Sequence, residues 1–352
     1  MGFRKLGEKK YPKVTIIVTN YNGRDFLDGC FSSLLKLDYP AFTVIMADGN
    51  SKDDSVSFVS KKFPQVKILK DKENLGVCKS FNDALKKAKT DLVVKVDNDI
   101  IADRNWLREM VKTIESDPQI GVVGSKILNY DGKSIQEFGS SVDRMGYPMS
   151  YIALEGEPKK LPKFREVFYV SGCSMLFKKK VFEETGMLDE KFYIYKDDLD
   201  LCWRMKLLGY KTVTNLKSVI RHMSGVIHGG VSMGERVKTY HTTARKRYFG
   251  ERNTFRMLLK NYSTASLLKI LPVYFLIIFA ESVFFILRRQ FKIPLVYLRA
   301  FWWNMQNLQD TLRERRKIQR KRKVPDRVIM REMAKGSLRW KMLKIIRVPK
   351  ID

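Results

Sequence analysis

Cysteine and histidine are scarce in this sequence of 352 residues, which holds four cysteines and three histidines. No two of the cysteines form a CxxC pair, and the histidines are not clustered with them; the four are Cys30, Cys78, Cys173 and Cys202. Structural zinc sites and disulfide frameworks both need such ligands at close, regular spacings. Their absence argues against both kinds of site and favours a reducing compartment.

The sequence also lacks internal repeats, low-complexity tracts and a recognisable secretory leader. Residues 1–13 are charged, and the first apolar run, Val14–Val18, is too short for the hydrophobic segment of a leader. Hydrophobic residues make up 44% of the chain, which is enough to bury a core and excludes wholesale disorder. We therefore expect a folded protein that stays on the side of the membrane on which it is made.

Acidic residues are few in the last third of the chain. The net charge is +29, but residues 1–240 hold 40 basic and 31 acidic residues, whereas residues 241–352 hold 27 basic and 7 acidic ones. This distribution is not that of an evenly basic nucleic-acid-binding protein. It predicts a domain of ordinary charge followed by a basic attachment.

The first 125 residues alternate between short β-branched runs and stretches with apolar residues at helical spacing. The predicted strands are Val14–Val18, Thr43–Ala47, Val66–Leu69 and Leu92–Val96, each followed by a predicted helix. This rhythm predicts an α/β protein with a Rossmann-like, mostly parallel sheet, whose ligands bind beyond the carboxyl ends of the strands. Farther along, the sequence predicts strands at Gly121–Leu128, Val167–Phe177 and Ser218–Arg221, with a long surface excursion at 131–163.

Polar clusters stand at the predicted carboxyl ends of three strands. Asp97 and Asp99 point the same way on an extended chain and offer oxygen ligands to Mg²⁺ or Mn²⁺, although a short DxD is also common in a solvated turn. Asp48 could accept hydrogen bonds from a nucleoside base, or could belong to a capping turn. Asn74 and Lys79 could flank a diphosphate, or could begin a helix that Asn74 caps.

A second acidic pair, Asp197-Asp198, opens a predicted helix that ends at Gly209. Adjacent carboxylates raise each other's pKa, which suits a general base near neutrality, whereas the alternative is simple capping of the helix start. Among the histidines, His222 follows a predicted strand and could be a third metal ligand. His228 and His241 have no such context.

The carboxyl-terminal third is apolar, aromatic and basic. Leu267–Leu287 is long enough to cross a bilayer, but Glu281 lies well inside it, and a carboxylate there is costly. An aromatic amphipathic helix is predicted at Leu295–Leu312, and Arg313–Lys323 then holds eight basic residues and one glutamate. Aromatic residues beside clustered cations are typical of a helix held on an anionic membrane surface. We favour a hairpin lying partly in one leaflet; a spanning helix and a dimer interface stay open.

Together these motifs resemble glycosyltransferase family 2, enzymes of the GT-A fold that use nucleotide sugars, and within it the rhamnosyltransferase-like branch. The matching segments stand at 14–23 (VTIIVTNYNG), 47–55 (ADGNSKDDS), 73–85 (ENLGVCKSFNDAL), 94–100 (VKVDNDI), 170–211 and 219–232 (VIRHMSGVIHGGVS). They cover about residues 13–255 in the family's order. The resemblance implies a GT-A catalytic domain over 1–255 and a helical, membrane-associated region over 256–352.

The resemblance also implies roles for individual residues. A nucleotide-sugar site would be lined by Thr19, Asn20, Tyr21, Asp48, Asn74, Lys79, Asp97 and Asn98. Mn²⁺ or Mg²⁺ would be bound by Asp97, Asp99 and His222, and Asp198 would be the general base. The family usually has Glu-Asp where this chain has Asp197-Asp198, so which of the two is the base stays open.

The function implied is the transfer of one sugar from a nucleotide sugar to a lipid-linked or cell-surface glycan, at the cytoplasmic face of the cell membrane. The Gln-x-x-Arg-Trp motif of processive synthases is absent, which favours single transfers. One base opposite the leaving group predicts inversion, while a second nucleophile or front-face attack would give retention. No nucleic-acid partner is expected, and an oligomer is possible. The alternatives are a non-catalytic nucleic-acid-binding or scaffold protein that uses the basic tail, and a sugar-nucleotide or sugar-phosphate transferase.

Overall fold

A mixed β-sheet flanked by helices forms the centre of the protein. The computed structural model describes residues 11–156, 163–223, 241–339 and 350–351. The first elements are β1 (Val14–Asn20), α1 (Arg24–Leu34), β2 (Phe42–Asp48), α2 (Ser55–Lys62), β3 (Lys67–Lys70), α3 (Val77–Lys87), β4 (Leu92–Asp97), β5 (Ile100–Ala102) and α4 (Trp106–Ser116). They follow the predicted alternation of strands and helices closely.

The second part of the fold is less regular. It contains β6 (Ile120–Asn129), β7 (Ile135–Glu137), β8 (Ser140–Val142), β9 (Pro148–Ser150), α5 (Tyr151–Glu155), β10 (Phe164–Glu166), β11 (Ser174–Lys178), α6 (Lys179–Thr185), α7 (Asp197–Leu207) and β12 (Lys211–His222). The carboxyl-terminal part contains β13 (His241–Thr242), α8 (Ala244–Asn261), α9 (Thr264–Leu287), α10 (Lys292–Gln306), α11 (Leu308–Lys321), α12 (Asp326–Glu332) and β14 (Lys350–Ile351).

The main sheet has the strand order β10-β12-β6-β11-β4-β1-β2-β3. The strands β3, β2, β1 and β4 run parallel, β11 is antiparallel to both of its neighbours, and β6 and β12 are again parallel. This is the mostly parallel α/β sheet that the sequence predicts. In the register, Asn20 stands opposite Asp48, and Thr19 stands opposite Asp97. The polar ends of three strands therefore meet at one edge.

The prediction of a surface excursion at 131–163 is wrong for residues 131–156; residues 157–162 lie outside the described residues. Residues in this stretch form β7, β8, β9 and α5, and Phe138 and Val142 are buried. Asp143 is buried as well, and its carboxylate accepts a hydrogen bond from the Leu338 backbone at 2.7 Å. The Gly/Pro/Lys-rich composition gave no sign of this burial because the apolar residues are too far apart to form a periodic pattern.

The predicted strand Val167–Phe177 is only partly correct. Regular pairing begins at Ser174, and the preceding residues are buried without forming a continuous strand. The reason lies at Gly172, whose peptide groups bind side chains and not a neighbouring strand. The predicted helix Leu295–Leu312 is likewise divided, since α10 ends at Gln306 and α11 begins at Leu308.

Helix α8 joins the tail to the sheet. It runs across position 255, and its Phe255 and Leu258 belong to the same hydrophobic core as Trp203 of α7. Buried ion pairs reinforce this contact: Arg256 binds Asp189 at 2.8 Å, and Lys260 binds Asp200 at 3.1 Å. The division of the chain at 255 therefore falls inside a helix that is packed against both parts.

Helix α9 is, among the described residues, the one helix long and apolar enough to cross a membrane. Its 24 residues extend over about 36 Å at about 1.5 Å per residue, against a hydrocarbon core of about 30 Å. One face packs on the protein, while Leu268, Leu276 and Phe279 are strongly exposed. On the packed face Glu281 forms ion pairs with Arg247, at 2.6 Å, and with Arg339. The acid that is costly in an apolar helix is thus paired.

Candidate active site

The amide and carboxylate groups at the ends of β1 and β2 form one hydrogen-bonded network. Asp48 is fully buried, and it accepts hydrogen bonds from Asn20 Nδ2 at 2.8 Å and from Ser51 Oγ at 2.6 Å. Asn98 Nδ2 in turn donates to Asn20 Oδ1 at 2.6 Å. The structure therefore brings Asn20, Asp48 and Asn98 together. The Ser51 N–H also donates to Asp48 Oδ1 at 2.8 Å in a local turn, but this turn does not cap α2, which begins at Ser55 without a side-chain cap.

Three other predicted nucleotide-binding residues lie around this network, and they differ in exposure and in the partners of their side chains. Tyr21 is exposed. Asn74 accepts a hydrogen bond from the Gly76 backbone at 3.0 Å, which is the local turn expected before a helix. The Lys79 ammonium pairs with Asp83 four residues along the same helix. A phosphate contact by Lys79 would have to compete with this pair.

Asp97, Asp99 and His222 place one possible ligand atom each within 4.8 Å of one another. His222 reaches the two aspartates because β12 pairs with β5, which directly follows the Asp97–Asp99 turn. Its Nε2 lies 3.2 Å from Asp99 Oδ1, and its Nδ1 lies 3.2 Å from Gln136 Oε1. Two carboxylates and an imidazole oriented by a second polar group form a donor set that fits Mn²⁺ or Mg²⁺. His228 lies outside the described residues.

A buried lysine, which the sequence did not single out as a site residue, connects this cluster to the second acidic pair. Lys95 Nζ lies 3.2 Å from Asp97 Oδ1 and donates to the Gly172 carbonyl at 2.8 Å. The Gly172 N–H then donates to Asp198 Oδ2 at 2.9 Å. The available signal was a lone lysine inside the apolar strand β4. Its partner Gly172 is 77 residues away in the chain.

Neighbouring charges determine the direction in which the pKa values of Lys95, Asp97 and His222 shift. Burial alone would lower the pKa of Lys95, but Asp97 and Asp197 outweigh it, so the pKa lies above its usual value. Burial alone would raise the pKa of Asp97, but Lys95 and His222 hold it below its usual value. For His222, burial acts downward while Cys173 and Asp99 act upward, and the pKa is well above the usual value. Without a bound cation, the cluster favours an ionised aspartate beside a charged lysine.

The acidic pair at the start of α7 is electrostatically different. Burial, followed by the charge of Asp198, raises the pKa of Asp197 to about 7, although Lys95 opposes the shift. Burial also raises the pKa of Asp198. The Asp198 carboxylate is held by two backbone groups, the N–H of Gly172 and the N–H of Leu199 at 2.7 Å. A fixed carboxylate with a raised pKa can accept a proton near neutral pH.

Comparison with known proteins identifies the family of the catalytic part. Residues 15–186 match the model of the family described as glycosyl transferase family 2. This region of the chain belongs to glycosyl transferase family 2. The non-catalytic alternative is not favoured. The assignment to a rhamnosyltransferase-like branch stays a prediction.

Two curated relatives match part of the sequence. The O-antigen biosynthesis protein RfbC of Myxococcus xanthus is 27% identical over 225 residues, which cover 60% of this chain and 17% of RfbC. The poly-beta-1,6-N-acetyl-D-glucosamine synthase of Staphylococcus aureus is 27% identical over 203 residues, which cover 56% of this chain and 47% of the synthase. The aligned region thus spans less than half of either relative.

Solved structures support the GT-A-like fold. A structure of GalNAc-T7 with UDP, GalNAc and Mn²⁺ aligns with a TM-score of 0.55 and 14% identity, covering 74% of this chain and 49% of the other. The mannosyltransferase PcManGT of Pyrobaculum calidifontis, with GDP-Man and Mn²⁺, aligns with a TM-score of 0.50 and 16% identity, covering 86% and 76%.

Proposed function

We propose that this glycosyltransferase transfers a single sugar, with inversion, from a nucleotide sugar to a hydroxyl group of a glycan or lipid-linked acceptor, and that it depends on a divalent metal. The observation that carries the proposal is the polar path from Asp97 through Lys95 and the backbone C=O and N–H groups of Gly172 to Asp198. This path fixes the position of the Asp198 carboxylate, whose pKa is raised, with respect to the possible metal ligands Asp97, Asp99 and His222. Displacement at a sugar carbon needs such a base and such a cluster in one cleft.

Each group has a defined role in the proposed reaction. Asp198 takes the proton of the acceptor hydroxyl. At the same time the hydroxyl oxygen bonds to the anomeric carbon, and the bond from that carbon to the diphosphate oxygen breaks. Asp97, Asp99 and His222 would hold Mn²⁺ or Mg²⁺, whose charge neutralises the leaving nucleoside diphosphate. Lys95 keeps Asp97 ionised and donates to the Gly172 carbonyl, and the N–H of the same glycine orients the base.

The proposed donor site is the network around Asn20, Asp48 and Asn98, with Thr19 and Tyr21 at its edge. Asp48 already accepts from three protein donors, Asn20 Nδ2 and the N–H and hydroxyl of Ser51, so a nucleoside base would share or displace the Ser51 contacts. The names of the relatives, one an O-antigen biosynthesis protein and one a polysaccharide synthase, support a cell-surface glycan as the acceptor class.

We further propose that the enzyme works on the cytoplasmic face of the membrane, with α9 and α10 lying on the lipid. Their outward faces carry large exposed apolar side chains, among them Leu276, Phe279, Leu298 and Trp302. The ion pairs of Glu281 lie on the opposite, packed side of α9. One apolar side and one protein-packed side favour interfacial attachment over a helix that crosses the bilayer alone.

The direct test measures product formation from a panel of nucleotide sugars with Mn²⁺ or Mg²⁺. We expect nucleoside diphosphate as the product, loss of turnover on chelation, and loss of turnover in Asp99→Ala. Asp54→Ala removes an exposed aspartate outside the cluster and serves as the matched control. Turnover that survives both chelation and Asp99→Ala would refute the metal site. Release of nucleoside monophosphate would instead identify a sugar-phosphate transferase.

A further inference from the structure

The segment that leads into Asp197 and Asp198 has an unfavourable backbone conformation. Tyr193, Tyr195 and Lys196 have φ values of 65°, 68° and 61°, in the left-handed region that residues with a side chain rarely adopt. Three such residues within four positions persist only when surrounding contacts hold them there. These contacts therefore decide where the two carboxylates stand.

Two consecutive residues of α8 supply most of these contacts. Asn253 is fully buried, and its Nδ2 donates to the carbonyl groups of Phe192 at 3.1 Å, Ile194 at 2.8 Å and Tyr195 at 2.8 Å. Arg252 Nη2 donates to the carbonyl groups of Lys191 at 2.8 Å and Phe192 at 2.7 Å. A single side-chain amide thus binds three carbonyl groups of the strained segment.

Arg252 also orients the Asn253 amide. Its Nε donates to Asn253 Oδ1 at 3.0 Å, so the amide oxygen faces the guanidinium and the NH₂ group faces the carbonyls. Arg252 is itself held by Trp303 of α10, over whose ring its guanidinium lies at 4.2 Å, and by Asn304, which donates to the Arg252 carbonyl at 3.0 Å. Because Trp303 and Asn304 both belong to α10, this helix of the carboxyl-terminal part holds Arg252, and through it Asn253, in place.

The next residue of α8 holds the end of the segment. Lys196 immediately precedes Asp197, and its ammonium donates to Thr254 Oγ1 and, at 2.9 Å, to the Gly146 carbonyl. Toward the donor site the segment has little room, since a Cβ atom at Gly76 would come within 2.5 Å of the Tyr193 carbonyl oxygen. The segment therefore lies between Gly76, beside the proposed donor site, and α8.

We propose that Arg252 and Asn253 are positioning residues for catalysis: they set the backbone that carries Asp197 and Asp198 without contacting substrate. The proposal rests on the proposed role of Asp198 as the base. It assigns a function to two residues of α8, which lie outside the strand-end motifs that carry the chemistry.

The test compares Asn253→Ala with Asn261→Ala. Both are fully buried asparagines of α8 that contact the same region of the fold, but Asn261 binds Asp200 and not the strained segment. We expect similar losses of melting temperature in both variants. In Asn253→Ala alone, kcat should fall about 100-fold, the effect of misplacing a reacting group by about 1 Å, with an unchanged KM for the nucleotide sugar.

The outcomes separate the two proposals. Equal kcat values in the two variants, with Asp198→Asn inactive, would overturn the positioning role and leave the base assignment intact. Full activity of Asp198→Asn would overturn the proposed base itself. If Asn253→Ala does not fold, Arg252→Lys keeps the positive charge but removes the fork that binds Asn253 Oδ1 and the carbonyl groups of Lys191 and Phe192; it should lower kcat without changing KM, and unaltered kcat would again refute the proposal.

Discussion

The adjacent acids Asp197 and Asp198 allow a sharp prediction, because changing each to the amide should alter a different kinetic quantity. The Asp198 carboxylate accepts from the N–H groups of Gly172 at 2.9 Å and Leu199 at 2.7 Å. In Asp198→Asn one of these N–H groups faces an NH₂ group, which costs about 1–3 kcal/mol of folding free energy. Loss of the base lowers kcat by about 10²–10⁴-fold, equivalent to about 3–5 kcal/mol of activation free energy.

Asp197→Asn should instead change the pH dependence near neutrality. The Asp198 charge contributes to the raised pKa of Asp197, which lies at about 7, so Asp198 ionises first, while Asp197 is still a neutral acid. A base works only when it is deprotonated, so activity is present above its pKa and is lost as the pH falls through it. The acidic limb that Asp198 sets should therefore stay in place in Asp197→Asn, the inflection that ionisation of Asp197 adds near pH 7 should disappear, and the plateau should be retained.

The assay is the pH profile of kcat at saturating donor for the wild type and both variants, together with their unfolding free energies. A stability loss alone would lower the active fraction equally at every pH. Plateau activity retained in Asp198→Asn and lost in Asp197→Asn would show that Asp197 is the base. Plateau activity retained in both would refute a carboxylate base at the start of α7.

Three further predictions concern other parts of the molecule. Gly23→Ala would place a Cβ atom 1.8 Å from Asn98 Nδ2, so initial-rate kinetics should show a raised KM for the donor; an unchanged KM would remove Asn98 from the donor site. Glu281→Gln leaves Arg247 without its ion-pair partner and Arg339 with Glu251 alone, and it should lower the unfolding free energy in detergent by about 3–5 kcal/mol, whereas an unaltered value would mean that the pairs contribute nothing. Phe279→Asp should reduce cosedimentation with anionic vesicles while Val328→Asp, on α12, should not, and equal binding of the two variants would argue against α9 as the lipid contact.

The regular part of the fold could be predicted because the sequence patterns that indicate its strands and helices are local. The β-branched runs of β1, β2 and β4 are followed by helical periodicity, and parallel strands bring their carboxyl ends together. This rule was sufficient to group Asp48 with Asp97. The roles of these residues in binding stay predictions.

The connections within the site could not be predicted because they are not local. A lysine inside an apolar strand gives no indication of its partners, and Lys95 finds them at Gly172, in a stretch that seemed to be an ordinary strand. The contacts of Asn253 likewise depend on backbone carbonyls, which carry no sequence signal. The ion pairs of Glu281 join residues that lie on α8, on α9 and beyond α12.

These pairs determine how a soluble form of the enzyme could be obtained. Arg247 belongs to α8, which is packed into the core of the catalytic part, and its partner Glu281 belongs to the lipid-facing helix. A chain cut after α8 would keep the half-buried arginine and lose its carboxylate partner, and it would uncover Phe255, which packs on aromatic rings of α9 and α10. Solubility is therefore to be sought by replacing the outward side chains of α9 with polar ones, with the helix itself left in place.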